Sequence, residues 1–231
     1  MPFRTDKPPL GRSRDVAVRR LLQTERKLGW DTDRRAKYAG NINEYFELDH
    51  IERVPEQELI KPNDQVYYIP HHAVIKESGT STKLRVVFDA SAKTSTGISL
   101  NEKLLTAPTL QQDIFSILVR ARKHQIMYCA VICKMYRQIW VHPQDRGFQR
   151  ILWRSSATEP IQEFRLKTVT FGYASSPFQA IRSMFQLATD EEKEFPLAER
   201  IIHRDAYVDD VISGTDSLEE AIQVQDELMQ M

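Results

Sequence analysis

Two adjacent acids, Asp209 and Asp210, sit between short β-prone, largely apolar runs, Tyr207-Val208 before them and Val211-Ile212-Ser213 after. The pattern predicts a tight hairpin with strands at 206–208 and 211–213 and the acids at its turn. Paired aspartates in a turn are ordinarily solvated, because an Asp side chain bonds the nearby backbone. A hairpin with an apolar body presents its tip rigidly, however. Carboxylates on a rigid tip can hold a hard divalent cation, which takes oxygen ligands.

The elements that must position this tip follow from periodicity and punctuation. Ser13 is placed to cap a helix whose apolar face carries Val16, Leu21, Leu22 and Leu28, with Gly29 ending it. A second helix is expected over 31–48, with Tyr38, Ile42, Tyr45 and Phe46 facing inward, followed by a linker at 55–62. Three β-prone runs come next, at 66–69, 73–76 and 83–88, the last two forming a hairpin around the turn-rich 77–82. After a polar loop at 89–101, a helix over 109–122 carries Ile114, Leu118 and Val119 on one side. The continuous apolar run 125–132 suits a strand in the middle of a sheet. Strands at 150–154 and 164–169, a helix at 176–195 with Pro177 in its first turn, and a helix from Ser217 to the end complete the order. This arrangement predicts an α+β fold, an antiparallel sheet with helices packed on one face. No glycine-rich phosphate loop follows any strand, so P-loop and dinucleotide folds do not fit.

The 231 residues are 41% hydrophobic and 28% charged, with a formal net charge of +0. There is no basic surplus to announce a nucleic-acid partner, although only a local basic face is required. Arg12, Arg14, Arg19 and Arg20 could touch a phosphate backbone, but a solvated helix face is the more ordinary reading. Cys129 and Cys133, on a strand, would stand roughly 13 Å apart, too far for a disulfide. They are expected as two buried free thiols, with no zinc site. The start of the chain is polar and proline-rich, and no apolar stretch could span a membrane. An intracellular, cytoplasmic protein that is not secreted is therefore expected.

Tyr207-Val208-Asp209-Asp210 resembles the active-site hairpin of reverse transcriptases, and its neighbours resemble the BEL/Pao group of LTR retrotransposons. The marks are 83–93 (KLRVVFDASAK), 134–139 (KMYRQI), 149–154 (QRILWR), 170–178 (TFGYASSPF) and 204–210 (RDAYVDD), in that family's order and spacing over nearly the whole chain. The resemblance implies the fingers and palm of a reverse transcriptase at 63–231, truncated before the thumb, after a helical N-terminal extension and linker at 1–62. It also implies RNA-directed DNA synthesis on an RNA or DNA template with a primer and dNTPs. Other Pol segments would be partners, and virus-like particles in the cytoplasm the setting.

In that family two Mg²⁺ (or Mn²⁺) ions clamp the attacking and leaving oxygens, held by carboxylates of a middle palm strand and of the hairpin. Asp209 and Asp210 match the hairpin pair. Arg85, and less clearly Lys76, match a contact to the triphosphate. Tyr136 matches the aromatic gate against a ribose 2′-hydroxyl. Phe171 and Gly172 match the segment that lies against nucleotide and template. At the third acid position, five residues before Tyr136, stands Val131, which cannot ligate a cation. Asp145 and Asp205 align away from the centre and are not expected to substitute. The resemblance thus leaves two expectations, an impaired polymerase fragment or a non-catalytic, nucleic-acid-binding remnant. Val131, and the absence of primer-grip, thumb, RNase H and integrase sequence, favour the remnant.

Overall fold

The computed structural model describes the whole chain except Trp30 and residues 76–83. Its helices are α1 (Arg14–Leu28), α2 (Thr32–Glu47), α3 (Glu56–Leu59), α4 (Leu100–Lys103), α5 (Ile114–Ala121), α6 (Ser176–Asp190), α7 (Pro196–Asp205) and α8 (Leu218–Gln230). Its strands are β1 (Ile51–Arg53), β2 (His71–Ile75), β3 (Leu84–Phe88), β4 (Ile126–Val131), β5 (Arg150–Trp153), β6 (Gln162–Leu166), β7 (Ala206–Tyr207) and β8 (Asp210–Thr215). Every paired ladder among these strands is antiparallel. Residues 1–106 with 140–176 form one compact unit, and 107–139 with 177–231 a second.

In the first unit a three-stranded sheet runs β1-β6-β5, and β2 pairs with β3. The α1 face that is buried carries Ala17, Leu21, Thr24 and Leu28. Leu22, expected inside, is exposed, and Val16 is only half-buried. Ser13 sits at the N-cap without capping: its hydroxyl instead accepts from the Tyr68 N–H at 2.9 Å. Asp31 does cap α2, accepting from the Arg34 N–H at 2.9 Å. Tyr38, Ile42 and Tyr45 face inward, whereas Phe46 is on the rim, edge-on to Phe164.

The expected linker is an ordered segment containing α3. Glu58 there pairs with Lys61 and Arg165, each at 2.7 Å, and its carbonyl receives the guanidinium of Arg150. Arg150 is fully buried, which its other contacts make tolerable: Tyr68 Oη accepts at 2.8 Å and the Tyr68 ring lies 5.5 Å below. The run 66–69 is not a ladder strand. Tyr67, Tyr68 and Ile69 are buried, but only one bridge, Tyr68 to Arg150, forms.

His71 is buried between α2 and β5. Its Nε2 lies 2.9 Å from the Leu152 carbonyl, an acceptor only, so Nε2 carries the hydrogen and Nδ1 accepts from the Tyr38 hydroxyl. One neutral tautomer satisfies both partners. Burial holds the imidazole pKa down at about 4, against 6.5 for an ordinary histidine. The stability this contributes is fully present above pH 6.5 and is lost as pH falls toward 4, where the unfolded chain takes up a proton that the folded chain refuses. Thermal melts should therefore show a loss on the order of 3 kcal/mol across that window, and a His71→Gln variant should lack the His71 share of it.

In the second unit the sheet order is β4-β8-β7. The central strand is β8, not the run at 125–132, and β4 is an edge with Met127 and Val131 exposed. The physical reason lies partly in Gly214, whose missing Cβ would come within 2.8 Å of the Ile126 carbonyl and 2.7 Å of His124 Cβ. This close approach lets β8 lie beside β4, and its hairpin pairing with β7 on the other side gives it the interior place. Cys129 and Cys133 are consequently exposed rather than buried, and Cys133 lies beyond the strand. The core here is Met184, Ala188, Ile201, Ile202, Ala206, Val211 and Val224. The face of α5 that is buried carries Ile117 and Ala121, while Leu118 and Val119 are exposed. Asp113 caps α5 and Ser217 caps α8. Helix α7, opening on Pro196, was not anticipated; the expected helix at 176–195 ends earlier, at Asp190.

Candidate functional site

The acid-bearing hairpin is formed by β7 and β8, with Tyr207 paired to Asp210. Its turn is Val208-Asp209, one residue earlier than expected, so that Asp210 begins a strand instead of sitting at the tip. Val208 has φ +57°. A positive φ at the first loop position is the signature of the primed hairpin turns, where glycine or asparagine is usual. A β-branched residue there is an outlier, carrying strain of about 1–3 kcal/mol. The Val208 N–H donates to the side-chain oxygen of Gln111 at 3.2 Å.

Next to the hairpin runs the end of β4. Val131 is the cross-strand partner of Asp210, and the Ile132 N–H donates to the Asp209 carbonyl at 2.8 Å. Directly opposed residues share a face with Cβ atoms about 5 Å apart, so the Val131 side chain adjoins Asp210. Asp209 and Asp210 are exposed, and Val131 is 67% exposed. Tyr136 follows in a short 3-10 turn after Lys134, which itself has φ +53°. Burial pushes the Tyr136 hydroxyl pKa up and the charge of Asp209 adds to it, which places the two residues within electrostatic reach.

Beneath the hairpin lies a different kind of acid. Asp205, at the end of α7, is 1% exposed. It accepts from Arg120 Nε at 3.1 Å, from Arg204 Nη2 at 2.8 Å and from Ser213 Oγ at 2.6 Å. Burial alone would raise its pKa, but the hydrogen bonds from Arg204 and Ser213 outweigh that, and the net shift is downward. Its oxygens are committed to the protein, as is Asp145, which pairs with the N-terminal ammonium in the other unit.

In the first unit, Arg85 is exposed on β3 opposite Val74. Phe171 is 52% exposed, and Gly172 has φ +101° with the Phe88 carbonyl only 2.2 Å from where a Cβ would stand, so no other residue fits. Asn101 braces this turn, donating to the Gly172 carbonyl at 3.0 Å and accepting from the Ala174 N–H at 2.8 Å. Lys76, together with Lys83, lies outside the described residues. Arg14 and Arg20, considered as phosphate contacts, pair with Glu163 and Asp89.

The donor set does not fit a pair of divalent ions. Two adjacent carboxylates are available, the third position presents methyl groups, and among the described residues no cluster of three or more His, Cys, Asp or Glu could hold a metal. Gln111 and Asn101 had no signal in the sequence, since each acts on distant backbone. Asp205 had one: it continues the buried α7 face of Ala198, Ile201 and Ile202, and an acid in such a register must find partners.

The mixed helical and antiparallel-sheet fold is reverse-transcriptase-like. The similarity is to foamy viral protease-reverse transcriptases. The form in complex with an RNA/DNA hybrid matches with TM-score 0.61 and 13% identity over 87% of this chain and 22% of its own. The form in complex with double-stranded DNA gives 0.57 and 14% over 80% and 27%. The crystal structure of the Prototype Foamy Virus CSH mutant gives 0.58 and 14% over 99% and 24%. The chain thus spans about a quarter of the length of these proteins. No protein-family model and no curated protein matches it. Among the described residues no helix is long and apolar enough to cross a membrane.

Proposed function

We propose that the chain is a reverse-transcriptase domain fragment of a BEL/Pao-type retrotransposon Pol polyprotein, an RNA-directed DNA polymerase by descent with an impaired metal site. In this reading the unit containing the Asp-Asp hairpin is the palm, the unit containing β2 and β3 supplies the fingers, and 1–62 is an N-terminal extension. Asp209 and Asp210 are the surviving acids for Mg²⁺ or Mn²⁺. By the family resemblance, Tyr136 has the role of sugar gate, and Arg85, Lys76, Phe171 and Gly172 have the role of nucleotide-binding residues. The observation that carries the proposal is the β4–β8 register, which sets Val131 opposite Asp210, where an aspartate would complete the site. A primer on an RNA or DNA template, dNTPs and other Pol segments are the partners, in cytoplasmic virus-like particles.

The second reading is a non-catalytic, nucleic-acid-binding remnant. It is favoured by the apolar third position, with Asp205 and Asp145 both engaged elsewhere. Both readings require a nucleic-acid surface, in keeping with the hybrid and duplex bound by the foamy viral proteins. Fluorescence anisotropy with an RNA/DNA primer–template should show weak binding that falls steeply with salt, as phosphate contacts do. Arg85→Ala should weaken it and flatten the salt slope by about one unit. A folded sample that binds nothing at low ionic strength, or binds independently of salt, would refute both.

A further inference from the structure

Val208 holds a left-handed backbone that its β-branched side chain disfavours. Such a conformation persists only where the surroundings over-determine it. The Tyr207–Asp210 pairing and the Ile132 N–H on the Asp209 carbonyl hold the far side of the turn, and the Val208 N–H itself is held by the side-chain oxygen of Gln111, 97 residues earlier in the chain. Gln111 lies two residues before Asp113, the cap of α5. We propose that Gln111 is a positioning residue: it clamps the turn in its left-handed form and so sets the direction of the Asp209 carboxylate. Without an acceptor the Val208 N–H would turn to water, φ would return to negative values, and the following peptide with Asp209 would reorient. The functional consequence rests on the metal-site reading given above; the clamp does not.

The test uses the full chain and two measurements. Gln111→Met keeps the side-chain length and removes the acceptor, whereas Gln111→Glu keeps an acceptor. Amide hydrogen exchange at Val208 should quicken about tenfold in the Met variant, the equivalent of one lost hydrogen bond, and stay slow in the Glu variant. The second measurement is Mn²⁺ affinity by electron paramagnetic resonance, in a Val131→Asp background that supplies a third carboxylate. There Gln111→Met should weaken binding about tenfold. Adding Val208→Gly should restore it, since glycine takes positive φ unaided. A glutamine with a merely structural role would not give that rescue. Unchanged exchange at Val208 would overturn the clamp, and faster exchange with unchanged Mn²⁺ affinity would overturn the positioning role. A Val131→Asp chain that binds no Mn²⁺ even with Gln111 present would instead sink the metal-site reading, while the exchange measurement still decides the clamp.

Discussion

Primer extension by this chain should stay at background in Mg²⁺ and in Mn²⁺, and an aspartate at position 131 should be what restores it in a complete polymerase. Val131 and Asp210 are cross-strand partners at the end of β4, so a carboxylate there would stand about 5 Å from one already on the hairpin. Losing a single preorganised electrostatic partner costs on the order of 10²–10³ in rate, and a ligand shared by two ions should cost at least that much. The substitution should fold, because Val131 is 67% exposed and an acid at that place stays hydrated. Extension also needs a grip on the primer. The decisive comparison therefore carries residues 76–213 into a complete related polymerase, with Val131 or with Val131→Asp. Incorporation is expected only with the aspartate. Comparable extension by the valine form would mean that another residue supplies the ligand and that the impaired reading is wrong. If neither form works, the damage extends beyond this residue, with Ala206 beside the hairpin the next position to restore.

The second large effect is on stability and separates two kinds of aspartate five residues or fewer apart. Asp205→Ala removes the carboxylate that holds Arg120, Arg204 and the Ser213 hydroxyl. Breaking a buried pair strands its partners, at a cost of 3–5 kcal/mol in well-buried cases. Here both arginines are partly exposed, so about 3 kcal/mol is expected by urea denaturation followed by circular dichroism. Asp205→Asn, which keeps the acceptor but loses the charge, should cost roughly half of that. Asp209→Asn should change stability by less than about 0.5 kcal/mol, because its side chain is exposed. Equal losses at the two positions would show that the hairpin acid is as structural as Asp205.

The hairpin was legible because two adjacent acids interrupt β-prone runs, whereas Val131 was singled out only by the family resemblance, five residues before Tyr136. The exact turn was not legible. Val208 takes a backbone that its own propensity opposes, and the cause, Gln111, is remote in sequence. The run 125–132 looked like an interior strand because apolarity reports burial only when something covers it. β8 is interior because it pairs with β4 on one side and with β7, through the hairpin, on the other, which no pattern within 125–132 reports. Likewise Leu118 and Val119 give α5 an apolar side that remains open, and Leu22 does the same on α1. Short elements escaped for a simpler reason: β1 has three residues, Ile51-Glu52-Arg53, too few to display an alternation, and its place in the sheet comes entirely from pairing with β6. In α3, the carboxylate and carbonyl of Glu58 dock on arginines of other segments, which no local pattern announces.

The open edge formed by β4 links chemistry to colloidal behaviour. Its outer rim shows backbone donors and acceptors with no strand beside them among the described residues, together with Met127, Cys129 and Val131. Proteins commonly place a charge on such a rim so that two copies repel each other instead of zipping together. An acid at position 131 would serve as that charge as well as a metal ligand. With valine there, the margin is apolar and exposed where a charge would keep it hydrated. Solubility alone would therefore gain from an aspartate at position 131, whether or not the chain ever binds a metal there.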